Sequence, residues 1–280
     1  MQTQRQSETP RPLHGVRVAI TGGTSGLGLA LVRELTRRGA QVALIARTEA
    51  RVAAVAAEEN AHGIVGDVSK KQDHHRIALQ VTGMLGGLDV LINNASDLGP
   101  VPLALLGDTQ CEDFERVLAT NVLGPFRLTK ALLGSLAASA REGKGALVLN
   151  VSSDAAVSAY PQWGAYGTSK AALAHMTRIW NEELASQGVR FIALDPGDMD
   201  TPMHAAALPD ADPSTLKPPS QAAYELAETI CDLLPARPAE LSTKAFSARP
   251  VAQVNGAASS VDDMPRSDGS SHPSLRRYAS

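Results

Sequence analysis

The chain has 280 residues, a formal net charge of −3 and 4% aromatic residues, so a nucleic-acid-binding surface is not expected. No apolar run approaches the ~20 residues that cross a bilayer, and the seven histidines show no metal-ligand spacing, which argues against a membrane span and a metal site. Cys111 and Cys231 lie far apart without a CxxC pair, which suits reduced thiols in a cytoplasmic protein.

The length is enough for one large α/β domain with an ample core. Residues 1–13 are polar with prolines and no apolar h-region, and are read as a loose tail, not a signal peptide. The apolar run Val16–Ile20 predicts a buried strand. It leads into Thr21-Gly22-Gly23-Thr24-Ser25-Gly26-Leu27-Gly28 and then a helical pattern from Leu29 to Arg38. Strand, glycine-rich turn and helix in that order make a phosphate cradle, because the backbone approaches a pyrophosphate closely and the helix N-terminus offers unpaired N–H groups. Glycines at such a turn also serve purely structural ends, and that reading stays open.

Gln41–Ala46 is the second predicted strand. An NAD-selective site puts an acid at its end to bond the adenosine 2′-hydroxyl; here Ala46 is followed by Arg47, a partner for a 2′-phosphate, so NADP(H) is expected over NAD(H). The alternative is a solvated Arg47 ahead of a helix. A helix near 48–60, a strand near 62–66 leading to Asp67-Val68, and a helix near 72–84 follow, with His74-His75 read as solvated. Leu88–Ile92 and Gly145–Val151 are further strands, and 109–140 reads as two consecutive helices. Regular strand–helix alternation argues a doubly wound parallel sheet covered on both faces.

Tyr166-Gly167-Thr168-Ser169-Lys170 begins another helical pattern. Residues four apart share a helix face, so Tyr166 and Lys170 are expected side by side. A lysine ammonium beside a phenol favours phenolate and brings its pKa down towards the range useful for acid–base work. Taken alone, the pair also fits an ordinary helix surface.

With TGGTSGLG, Asp67-Val68, Asn93-Asn94-Ala95-Ser96, Asn121-Val122, Ser152-Ser153, YGTSK and Pro196-Gly197 with Thr201 in order, residues 14–234 resemble a compact short-chain dehydrogenase/reductase. The resemblance implies a Rossmann fold and an NADP(H)-dependent reduction of a ketone or aldehyde to an alcohol, reversibly, by a homodimer or homotetramer built through helices at 109–140 and 163–187. It implies a catalytic set of Asn121, Ser153, Tyr166 and Lys170. Ser153, thirteen residues before Tyr166, would hold the substrate oxygen. Tyr166 would be the general acid or base, Lys170 would bind the nicotinamide ribose and lower the tyrosine pKa, and Asn121 would anchor a relay water. Cofactor contacts are expected from Thr21, Gly22, Thr24, Ser25, Gly26, Leu27, Gly28, Arg47, Asp67, Val68, Asn93 and Ala95. Tyr166, Lys170, Pro196, Gly197, Met199 and Thr201 complete that set. Other reaction classes on the same scaffold, a non-catalytic NADP(H)-binding regulator, and a domain without a competent pocket remain alternatives.

Ser96 and Met199 depart from the family's usual residues. Asp97, Asp154, Asp198 and Asp200 fall in loops expected near the pocket mouth, as solvated acids or caps, or as an acidic rim favouring polar, hydroxylated or amine-bearing substrates. Residues 198–219 read as a mobile lid rich in Pro, Asp and Ala. A helix at about 220–234 follows. Residues 236–280 carry few large apolar side chains, so that tail is expected to be mostly disordered, with a short strand near 244–251 as a possibility.

Overall fold

The computed structural model describes residues 11–235, and the expectations for the rest of the N-terminal stretch and for 236–280 lie outside the described residues. Strands form at the predicted apolar runs, each within two residues: β1 (Arg17–Thr21), β2 (Gln41–Ala46), β3 (His62–Val65), β4 (Val90–Asn93) and β5 (Ala146–Val151). A sixth, β6 (Val189–Leu194), was not foreseen; it starts after Gly188, whose φ of 72° turns the chain back towards the sheet. All pairings are parallel, in the order β3-β2-β1-β4-β5-β6. The strand order reverses between β1 and β4, where a doubly wound sheet opens its ligand crevice beyond the carboxyl ends.

Helices α1 (Gly26–Arg37) and α8 (Pro219–Leu233) cover one face; α3 (Asp73–Leu85) and α5 (Gly124–Arg141) cover the other. Because successive strand residues point to opposite faces, Val18 and Ile20 enter one core layer while Ala19 enters the other. Val90 and Ile92 divide from Leu91 in the same way, which is why these strands read as unbroken apolar runs. Leu13 is buried in the first layer, so residues 11–13 belong to the fold instead of to the loose tail expected for 1–13.

Two further expectations are corrected and one, the helix pair at 109–140, is borne out with an added detail. His74 is buried on α3, its Nδ1 3.2 Å from the Lys71 carbonyl oxygen; only His75 faces solvent. The two helices expected at 109–140, α4 (Cys111–Leu118) and α5, are joined by a π turn, Ala119–Leu123. The lid stretch is more ordered than its composition suggested: it contains α7 (Pro202–Ala207) and a bridge from Met199 to Lys217. Helices α2 (Glu49–Glu58) and α6 (Gly164–Leu184) complete the frame of the site.

Candidate active site

A cavity of about 710 Å³ lies beyond the carboxyl ends of β1, β4, β5 and β6. At one end is the glycine turn. Gly22 has φ 71°, and a Cβ on it would come within 3.0 Å of Asn94 and Ala95; a Cβ on Gly28 would collide with the Gly22 carbonyl. Only glycine fits this close packing. Ser25 precedes α1 in extended conformation with no side-chain cap, and the first turn carries no acid, so its N–H groups remain available to an anion. Gly22, Thr24, Ser25, Gly26, Leu27 and Gly28 all line the cavity, as predicted from the motif. Arg47, exposed after β2, also lines it, joined by Arg51 one turn along α2, which sequence reasoning missed although the four-residue spacing was legible. Asp67, Val68 and Ala95 are on the wall, and Asp67 Oδ1 accepts from Ser69 N at 2.9 Å and Oγ at 2.7 Å.

Two predicted cofactor contacts, Thr21 and Asn93, and one predicted catalytic residue, Asn121, lie behind the wall. Thr21 Oγ1 accepts from Asn94 N and Ala95 N, each at 3.0 Å, fastening the β1 and β4 ends together. Asn93 Nδ2 donates to Asn150 Oδ1 at 2.8 Å inside the sheet, and the neighbouring Asn94 reaches the cavity instead. Asn121 is 1% exposed. The π turn aims its amide at the loop after β4: Nδ2 donates to the Asp97 carbonyl at 2.8 Å and to Ser169 Oγ at 2.9 Å. Its Oδ1 accepts from Asp97 N at 2.8 Å and Ser96 Oγ at 3.3 Å. Both protons and both lone pairs of the amide are thus occupied.

Ser153, Tyr166 and Lys170 meet on the cavity wall. Ser153 caps the turn after β5, accepting from Ala155 N at 3.2 Å, and its hydroxyl donates to Asp154 Oδ1 at 3.1 Å. Asp154 also accepts from Tyr160 Oη at 2.7 Å, and this bond holds its carboxyl below the usual range. Lys170 Nζ is 5.4 Å from the Tyr166 ring centroid and donates to the Val151 carbonyl at 2.8 Å, so the pair is adjacent as predicted. Burial pushes the Tyr166 phenol up to about 12, with Ser153 opposing and Asp195 and Asp154 reinforcing. Burial pushes the Lys170 amine down to about 8, and Asp195 acts against that. The lowering expected from the lysine does not appear here: desolvation of the phenol sets the direction of its shift.

Pro196, Gly197, Met199 and Thr201 line the opposite side. Thr201 caps α7, accepting from His204 N at 3.2 Å, and its methyl lies 3.4 Å from where a Cβ on Gly26 would sit. The loop thus faces the glycine turn across the cavity. Asp97, Asp154 and Asp198 reach the wall, whereas Asp200 is exposed outside it. Asp195, immediately before Pro196, was not foreseen as a site residue. Nor were Tyr160 and Trp163, in the loop before α6, and His204 of α7, which the tertiary fold brings to the wall from two separate segments.

A family model described as short chain dehydrogenase matches residues 17–212. A short chain dehydrogenase of the fungus Pseudocercospora fijiensis is 34% identical over 203 residues, 69% of this chain and 62% of its own length. Among solved structures, the 3-ketoacyl-(acyl-carrier-protein) reductase of Brucella melitensis complexed with NADH superposes with a TM-score of 0.72. Its identity is 26%, over 81% of this chain and 93% of its own. A short chain dehydrogenase structure from Escherichia coli CFT073 complexed with NADPH gives a TM-score of 0.71 and 27% identity, over 76% and 90%.

Proposed function

The chain belongs to the short-chain dehydrogenase family, and from that membership we propose that it is an NADP(H)-dependent reductase converting a ketone or aldehyde to an alcohol, reversibly. The observation that carries this reading is the convergence of Ser153, Tyr166 and Lys170 on a cavity whose other end is an uncapped, acid-free helix N-terminus behind a glycine turn. The turn fits a dinucleotide pyrophosphate, since Gly22 and Gly28 let turn and helix pack where a Cβ would collide with Asn94, Ala95 or the Gly22 carbonyl, leaving the uncapped helix N-terminus on the cavity. Arg47 and Arg51, without ion pairs among the described residues, suit a 2′-phosphate, and no acid stands at the end of β2 to repel one. The NADPH complex of the Escherichia coli structure supports the same choice, although the Brucella neighbour holds NADH.

The cofactor, when bound, supplies the hydride. Tyr166 then donates its Oη proton to the carbonyl oxygen as charge develops there. A phenol pushed up to about 12 is fully protonated at neutral pH, which suits an acid in the reductive direction. Ser153 directs its hydroxyl to the same oxygen by releasing Asp154. Lys170, which donates to the Val151 carbonyl, would bind the ribose beside the tyrosine in this reading. With the Asn121 amide fully engaged, the relay water expected there falls to the backbone of the π turn, and Asn121 acts by positioning the loop after β4.

Self-association through α5 and α6 is part of this reading, supported by Leu123, Phe126 and Ile179, which leave apolar surface exposed there. No described helix is long and apolar enough to cross a membrane, and the free Cys111 and Cys231 support a reducing, cytoplasmic setting.

The test is fluorescence titration with NADPH and NADH, followed by a carbonyl panel read at the nicotinamide absorbance. Tight NADPH binding is expected, with turnover that Tyr166→Phe lowers at least 100-fold while leaving binding intact. Cofactor binding without turnover of any carbonyl would instead favour a regulatory role, and better binding of NADH would overturn the cofactor assignment.

A further inference from the structure

Beyond the reacting groups, the substrate side of the cavity divides into an apolar wall and an acidic rim. The wall draws on three elements. Leu98 follows β4, Trp163 stands at the start of α6, and Met203 and Ala207 come from α7, all in one cluster around Tyr166. The Trp163 and Tyr166 rings meet edge to face with centroids 5.6 Å apart, so the indole flanks the position of the reacting carbonyl. The wall continues outward. Leu106 packs over Gly164, where a Cβ would come within 2.7 Å of it, yet Leu106 remains 56% exposed. Leu105 beside it and Leu208 after α7 are also exposed. Apolar surface running from a reacting centre to solvent is surface that a ligand's body can cover.

The rim has one sign. Asp154, Asp195 and Asp198 reach the cavity, and none forms an ion pair among the described residues, although the Asp195 charge is felt by the buried Lys170. Asp97 is compensated by Arg116 at 3.1 Å. Lys217, the nearest lid cation, is spent on Glu225 at 2.7 Å and the Pro196 carbonyl at 3.1 Å. Arg47 and Arg51 lie beyond β2, on the far half of the sheet, and Lys170 is buried on the Val151 carbonyl. His204 is the remaining basic group of the lining, with a buried Nδ1 that has no hydrogen-bond partner among the described residues.

We infer that the substrate is a bulky apolar ketone or aldehyde, neutral or cationic, and that anionic carbonyl compounds are rejected. This rests on the carbonyl-reductase reading and specifies its substrate class. Burial against Leu98, Trp163 and Met203 favours a large body at about four-fold per added methylene until the wall is filled. Each rim carboxylate disfavours a substrate carboxylate by about 30- to 100-fold at separations of about 6–8 Å and an effective dielectric of about 20, before salt screens it.

The experiment compares 4-phenylbutan-2-one with its para-aminomethyl and para-carboxylate forms, and with acetone, using the full chain and NADPH. Both kcat/KM and ketone affinity are read, the latter by calorimetry on Tyr166→Phe with cofactor. The neutral and ammonium ketones should exceed the carboxylate at least ten-fold at low ionic strength. The gap should narrow in 0.5 M salt, where screening is strong, and in Asp154→Asn/Asp198→Asn. Expressing each result as the carboxylate-to-neutral ratio cancels any uniform effect of Asp154 through Ser153. Acetone should be the poorest substrate, and Trp163→Ala should remove most of the advantage of the phenyl group. A carboxylate ketone turned over as well as the neutral one, or acetone preferred, overturns this inference and leaves the reductase standing. Turnover and binding of none of the four overturns both.

Discussion

Asn121 Nδ2 donates to Ser169 Oγ at 2.9 Å, tying the π turn between α4 and α5 to the helix that carries Tyr166 and Lys170. Ser169 Oγ in turn donates to the Tyr166 carbonyl at 2.6 Å, so the loop after β4, the π turn and the first turn of α6 form one bonded unit. Asn121→Leu keeps the volume but strands the Asp97 N–H and carbonyl in a half-buried place. Each stranded group costs about 1–3 kcal/mol. A fall in Tm of several degrees is expected at this chain size. Ser169→Ala, which removes fewer bonds, should fall less. An unchanged Tm for Asn121→Leu would show that the network is not holding the fold.

Lys170 makes stability depend on pH in an unusual direction. Its folded pKa is about 8 against an ordinary 10.5, so between those values the unfolded chain still binds a proton that the folded protein has released. Stability contributed by this group therefore rises with pH through that window, by up to about 3 kcal/mol. Tyr166 opposes it above pH 10, because its phenol keeps a proton to about 12 that the unfolded chain has lost. Urea unfolding between pH 8 and 10 should show Lys170→Met more stable than the parent at pH 8 and losing that advantage by pH 10. Parallel pH profiles for the two proteins would refute it.

Asp195 adds to the acid–base poise of the pair, which burial sets first. It follows Leu194, whose strand partner Val151 holds Lys170, and its charge raises the pKa of both Lys170 and Tyr166. Removing that charge lowers both. Asp195→Asn should shift the alkaline limb of the kcat profile for reduction to lower pH, since the proton donor is lost earlier. A profile that only drops in height, with its limbs unmoved, would assign Asp195 a purely structural part through its bond from Gly197 N at 2.9 Å.

Cofactor choice turns on Arg47 and Arg51. Both are exposed, so replacing them should leave Tm within a degree or so. Arg47→Ala/Arg51→Ala should weaken NADPH at least ten-fold, as expected for losing charge-assisted bonds to a phosphate, and leave NADH nearly unchanged. Equal losses for the two cofactors would mean that the guanidiniums do not read the 2′-phosphate.

Gly28→Ala tests the cradle. A Cβ there collides with the Gly22 carbonyl and comes within 2.5 Å of Asn94 Nδ2, backbone and a bonded amide that cannot swing aside. Loss of cofactor binding is expected together with a lower Tm, read by titration and thermal melting. Gly134→Ala is the control, because a Cβ at Gly134 meets nothing within 4 Å, and a helix interior gains from alanine. Equal behaviour of the two variants would sink the account.

What could be read from the residues was whatever depends on local pattern. Apolar runs longer than an alternating strand allows marked β1, β4 and β5, since a sheet covered on both faces needs apolar side chains on both. The glycine turn and the four-residue spacing of Tyr166 and Lys170 were equally legible, because a phosphate cradle and a shared helix face are short-range geometry. Tertiary structure decided the rest. It turned the Asn121 amide onto Asp97 and Ser169, and put Asn94 in place of Asn93 on the cavity wall, through hydrogen bonds to partners distant in sequence. It brought Trp163, Met203 and Leu98 around one phenol. It also reversed the expected tyrosine shift, because desolvation depends on how many segments close over a group, and no spacing along the chain records that.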